Sequence, residues 1–180
     1  DPLEFEKWRT ANNSKNGFAP IIIPIDFRIV RFSDGGGGLD ITEVQGILDT
    51  LNKRYAGASI SFEQCGEIGF VDEGLFYNFD RSLYADSLIT YNKSNVLNVY
   101  FINKVLRSND DQICGYASFP WTDDEYAVVQ NNCALNGSTL AHELGHYFGL
   151  WHTHQVTDSQ RETVNGSNCG IAGDELCDTP

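Results

Sequence analysis

From Ile21 to Val30 the chain reads IIIPIDFRIV, with Ile23, Ile25, Phe27 and Ile29 on one alternating face. A period of two predicts a β-strand, and Pro24, which has no N–H to donate, puts its beginning near a sheet edge or a bulge. The period then changes. Asp40-Ile41-Thr42 opens a helix, with Gln45 three residues after Thr42 as in a capping box. Ile41, Val44, Ile47 or Leu48, Leu51 and Tyr55 recur at helical spacing and form a stripe for a core. Ala58 to Val71 predicts a further strand or a hairpin, with Ile60 and Phe62 on one face. Val96 to Ile102 is almost continuously apolar, as in a central strand covered on both faces. The stretch at 115–119 is short and runs into Pro120, which suits an edge strand, and Tyr126 to Gln130 is one more strand. A second helix follows Cys133. Strand, helix, several strands, helix predicts an α+β fold: a twisted mixed sheet of about five strands, with a backing helix and a second helix on the same side. Residues 72–95 show no clear period. Residues 1–20 read as a polar lead, either a pro-segment remnant or an arm packed on the body, and 21–180 as one domain.

The second helix carries the chemistry. Within Ser138-Thr-Leu-Ala-His142-Glu143-Leu-Gly-His146-Tyr-Phe-Gly149-Leu-Trp-His152, Ser138 or Thr139 is placed to cap the helix. His142 and His146, four residues apart, share one face. Gly149 permits a left-handed stop, so that His152 can return to the same point from outside the helix. Three imidazoles with an open fourth position describe a catalytic zinc site, whereas closed structural sites use four ligands rich in Cys. Glu143, rotated about 100° from His142, is placed to take a proton from a water that the metal activates. An HExxH string by itself recurs on amphipathic helices. The full HExxHxxGxxH pattern fixes five positions, and its chance occurrence in so short a chain is on the order of 10⁻⁵. It uses three of the four His, and His154 falls outside it.

Composition narrows the setting. A net charge of −13 argues against nucleic acid and anionic membranes as partners, and there is no apolar stretch long enough to span a bilayer. Five Cys without a CxxC pair suggest disulfides, an oxidising compartment and a secreted, extracellular protein, with one thiol left over. Four glycines at Gly35–Gly38 lack the GK[ST] of a phosphate-binding loop and read as a surface loop. Asn-x-Ser sequons stand at Asn12, Asn92, Asn136 and Asn165. The last stretch, Gly173-Asp174-Glu-Leu-Cys177-Asp178-Thr179-Pro180, offers hard oxygen donors suited to Ca²⁺, although an acidic solvated loop has the same composition.

The long zinc motif, the upstream GYASFPW and the downstream GDELCDTP together resemble the metzincin zinc metalloproteases, and within them the pappalysin family. The similarity is strong after Gly115 and weak before it. The resemblance implies a zincin-like fold and a secreted endopeptidase acting on protein or peptide substrates. It implies zinc on His142, His146 and His152, Glu143 as general base, and an edge strand at 115–119 that holds the substrate backbone by strand addition. It also implies Ca²⁺ on Asp174 and Thr179, with the carbonyls of Gly173 and Cys177. Some members prefer Lys or Arg after the scissile bond, a preference that an acidic chain would suit. The chain departs from the family in having no Met, where metzincins place a methionine turn beneath the zinc. That absence and the odd Cys count lead to the expectation of a C-terminal fragment of the same precursor carrying both. The alternative is a binding or adhesion domain that keeps zinc for structure; Glu143, for which such a site has no use, speaks against it.

Overall fold

The computed structural model describes residues 19–107, 111–122, 124–155 and 161–177. The polar lead, except for its last two residues, and Thr179 lie outside them. In chain order the elements are β1 (Ile21–Arg31), α1 (Val44–Tyr55), β2 (Ile60–Gln64), β3 (Gly69–Asp72), α2 (Gly74–Tyr77), β4 (Asn78–Asp80) and α3 (Arg81–Leu88). There follow β5 (Leu97–Ile102), β6 (Lys104–Leu106), β7 (Gln112–Ile113), β8 (Gly115–Ala117), β9 (Tyr126–Gln130), α4 (Asn131–Ala134) and α5 (Thr139–Tyr147).

The main sheet has the order β2-β1-β5-β9-β8, with β3 also on β1, and every pairing is parallel except β8 with β9. The mixed α+β architecture expected from the pattern is the one observed, with six strands. The stretch 58–71 is not a hairpin. β2 pairs with Ile21 to Ile25 and β3 with Arg28 to Arg31, on the same edge and in the same direction. Between them the chain jogs through Gly66, whose φ of +83° only glycine adopts freely, and resumes its course. Pro24 is accommodated as expected. The N–H of Ile21 and the carbonyl of Ile25 bond toward β2, so the missing N–H of Pro24 faces the other side, where pairing with β5 starts only at Ile25.

Alternation gives the sheet two apolar faces. Ile25, Phe27 and Ile29, with Val99, Phe101, Ala127 and Val129, meet Val44, Ile47, Leu48 and Leu51 of α1 and Leu140 and Leu144 of α5. The stripe on α1 omits Ile41, which is exposed because it sits in a 3-10 turn ahead of the helix. The cap is Asp40, which accepts from the Thr42 N–H at 2.9 Å; Gln45 turns instead to Asp49, so no capping box forms. On the opposite face Val30, Tyr100, Ile102 and Val128 pack beneath Phe76, Phe79, Leu88 and Val105. Phe76, Phe79 and Leu88 of that cover come from the aperiodic stretch 72–95, and Val105 from β6. Short elements cannot show a period, yet β4, β6 and β7 form a second small sheet of three strands. Inside the main sheet Asp26 is fully buried and is met by Arg28 Nε at 2.6 Å and by Lys93 Nζ.

Candidate metal centre and cleft

The helix that carries the histidines is held at both ends. Asn136 caps it: its Oδ1 accepts from the N–H groups of Ser138 and Thr139, both at 2.9 Å, and neither Ser138 nor Thr139 supplies the cap expected of it. At the far end Leu150 N–H reaches the Gly145 carbonyl and Gly149 N–H reaches that of His146, both at 2.9 Å, with Gly149 at φ +92°. This is a Schellman stop, and it turns the chain so that His152 comes back over the helix. Tyr55 Oη donates to the Ala141 carbonyl at 2.9 Å and Arg54 Nε to that of Gly137 at 3.1 Å, tying the helix to α1.

The three imidazoles converge as the spacing predicts. Their Nε2 atoms form a triangle with sides of 3.2, 3.2 and 3.1 Å. The edge of a tetrahedron of nitrogens around zinc is about 3.4 Å, given Zn–N bonds of about 2.0–2.1 Å, so the donor set fits that ion. His146 Nδ1 lies 2.7 Å from the Leu150 carbonyl, to which it donates, leaving Nε2 as the bare nitrogen. Burial, then neighbouring imidazoles, hold His142 and His152 below the usual histidine range, which favours the neutral form that can bind a metal. His154 stacks on His152 with ring centres 4.9 Å apart but is not part of the triangle.

Glu143 is buried behind the triad. Burial pushes its carboxyl up to about 7, against the opposing pull of the Arg81 guanidinium. The space for it is made by Gly115: a Cβ there would lie 3.2 Å from Glu143 Oε1 and 2.6 Å from the Val128 carbonyl. Gly115 thus lets the edge strand pass close to the carboxylate. β8 is an edge strand antiparallel to its neighbour, as its sequence suggests, and it ends at Ala117. Gln130 N–H donates to the Cys114 carbonyl and Ser118 N–H to that of Tyr126, so the intervening backbone groups of Gly115 and Ala117 face away from the sheet. The disulfide Cys114–Cys133 ties the start of this strand to α4, just ahead of the histidine helix. Strand and helix form the walls of a cleft of about 610 Å³. Phe119, Trp121 and Trp151 stack at one end of it, with ring centres 4.6–5.5 Å apart.

The residues that sequence reasoning passed over are Asn136, Gly115, Arg81 and the Leu150 carbonyl. The first two left a faint trace, an Asx residue ahead of a helix and a lone Gly opening a strand. The others act through tertiary contact alone. In the C-terminal segment Asp174 is buried, and its carboxylate accepts from the Leu176 N–H at 3.1 Å. Gly173, at φ +66°, lies against the carboxylate of Glu162, and Cys177 is bonded to Cys169. Thr179 is outside the described residues, among which the histidine triad is the one cluster of three or more His, Cys, Asp or Glu ligand atoms. The unpaired thiol is Cys65, exposed just after β2.

An α+β sheet with three converging histidines on a helix and its following turn is the arrangement of the zincin-like metallopeptidases, and metalloproteinase-II of Bacteroides fragilis shares the fold. It superposes with a TM-score of 0.50 at 14% identity, over 87% of this chain and 53% of that one. Residues 80–180 match the M43 peptidase family model described as Pregnancy-associated plasma protein-A. The chain belongs to that family. Among curated proteins it is similar to extracellular metalloproteases of Colletotrichum graminicola, at 28% identity over 97% of this chain and 63% of the relative, and of Arthroderma benhamiae, at 27% over 96% and 59%. The chain spans about three fifths of the length of these relatives. Among the described residues no helix is long and apolar enough to cross a membrane.

Proposed function

We propose that this chain is the catalytic part of a secreted zinc endopeptidase that hydrolyses peptide bonds through an activated water, without a covalent intermediate. The observation that carries the reading is the pairing of the Nε2 triangle with a buried carboxyl, Glu143, beside a free strand edge. His142, His146 and His152 would hold zinc, which would supply Lewis acidity toward a water, whose pKa it would lower to about 7, and toward the scissile carbonyl. The chain's own groups do the rest. The outward N–H and carbonyl groups of Gly115 and Ala117 align an extended peptide. Glu143, with a carboxyl that titrates near neutrality, accepts the proton of the attacking water and returns it to the leaving amine. Extracellular action is supported by the two disulfides and by the similarity to extracellular metalloproteases.

The same reading takes Ca²⁺ as a structural ion of the C-terminal loop, on Asp174, Thr179 and the carbonyls of Gly173 and Cys177. Glu162, against Gly173, is a further donor. Ca²⁺ that raises thermal stability in the parent, and not in Asp174→Ala, supports this assignment; equal stability with and without Ca²⁺ removes it.

The deciding experiment is cleavage of a mixed peptide library read by mass spectrometry, with and without a zinc chelator and beside Glu143→Ala. Chelator-sensitive cutting that Glu143→Ala abolishes while zinc stays bound is the expected result. Bound zinc with no cutting by the parent refutes the endopeptidase reading and leaves a structural-zinc binding domain.

A further inference from the structure

Among the described residues the cleft is lined by one carboxylate, that of Glu143, and by two arginines, Arg81 and Arg107. The described lining thus holds more basic than acidic side chains, in a chain whose net charge is −13. The small second sheet brings the two arginines to one end. β4 and β6 are parallel with Asp80 opposite Leu106, so the next residues, Arg81 and Arg107, leave that sheet at the same end. β7 pairs back on β6 and runs directly into β8, which brings this end to the start of the edge strand. Arg81 lies over the Tyr116 ring, 4.3 Å from its centre, and both arginines are exposed. Among the described residues neither makes an ion pair.

The aromatic group of Phe119, Trp121 and Trp151 lies at the other end, past the last residue of β8. A peptide added antiparallel to β8 therefore has its N-terminal part against the aromatic rings and its C-terminal part against the arginines, with Glu143 between, beside Gly115. Resting on the protease reading of the cleft, we infer that Arg81 and Arg107 select substrates with acidic side chains in the first few positions after the scissile bond. This is the reverse of the Lys or Arg preference seen in some members of the family.

Two measurements separate this inference from the reading beneath it. In a peptide library, Asp and Glu are enriched in the three positions after the cut by about fivefold, and Arg107→Glu turns the preference toward Lys and Arg. Raising salt weakens the preference, as expected of exposed charges. Independently of cleavage, the zinc-loaded Glu143→Ala variant binds a peptide with an Asp-Glu C-terminal half about fivefold more tightly than its Lys-Lys counterpart, read by Trp fluorescence. Adding Arg81→Gln or Arg107→Glu removes the difference. Cutting without acidic enrichment and equal binding of the two peptides overturn the inference while the protease reading stands. Enrichment before the cut overturns the assigned direction. Absence of cutting, with the binding difference intact and abolished by Arg107→Glu, supports the charge selection and overturns the protease reading.

Discussion

Among the described residues three carboxylates are buried, and two of them, Asp26 and Glu143, are treated in opposite ways. Asp26, inside β1, is fully covered and is clamped by Arg28 and Lys93. Glu143, at 6% exposure, has no cation in contact among the described residues, and Arg81 acts on it only at longer range. A buried acid with both oxygens paired is a fixed part of the fold. A buried acid left without a cation resists ionisation and is poised to exchange a proton. The difference in partners, more than the difference in burial, divides the structural acid from the reactive one.

The largest effect is expected from Glu143→Gln. Peptide cleavage should fall by about 10³-fold, within the usual range for loss of a general base, while the folded state persists with zinc bound. A loss of less than tenfold would leave Glu143 without the role given to it. Asp26→Asn should do the reverse: zinc binding and cleavage survive at low temperature, and stability drops by about 3 kcal/mol in urea unfolding. That is the low end for a broken buried pair, because Lys93 is partly in water. A change below about 0.5 kcal/mol would mean that the cluster has no structural weight.

A third test uses pH on the metal-free protein. The folded-state pKa of Glu143 lies above its unfolded value, so the native state binds the extra proton between pH of about 4.5 and 7. The parent should therefore lose stability relative to Glu143→Gln as pH rises through that window, by on the order of 3 kcal/mol at most, and be level with it below the window. A flat difference between the two would show that the carboxyl is not desolvated. The smallest effect is expected from Gly115→Ala. Its methyl group meets the Val128 carbonyl and Glu143, which should cost about 1–2 kcal/mol of stability. Cleavage should fall about tenfold, because the strand edge and the carboxylate are forced apart, and retained activity would show that β8 yields without disturbing Glu143.

The legibility of the sequence follows from how local each interaction is. α1, β1, β5 and β9 are long or strongly apolar, and their periods show in any window of the chain. The histidines are separated by four and six residues and joined by one glycine turn, so their convergence is nearly a property of the helix. Residues 72–95 gave no such signal, because α2 and β4 have four and three residues, too short for a period to register, and β6, with three, is as short. The chain direction of β2 and β3 was likewise out of reach, since their parallel pairing to β1 joins residues 39 and 41 positions apart, as in Ile21 with Ile60 and Arg28 with Gly69.

By itself the sequence determined the helix that carries His142, Glu143 and His146, the glycine that turns the chain toward His152, and the apolar strands beneath them, because each depends on spacing along the chain. Tertiary structure alone decided the surroundings of Glu143. Gly115 lies against it and Arg81 acts on it at longer range from another part of the chain, and burial, which no spacing encodes, sets the proton affinity of the carboxyl. The charge of the cleft was decided in the same way, since Arg81 and Arg107 stand together through the register of two three-residue strands.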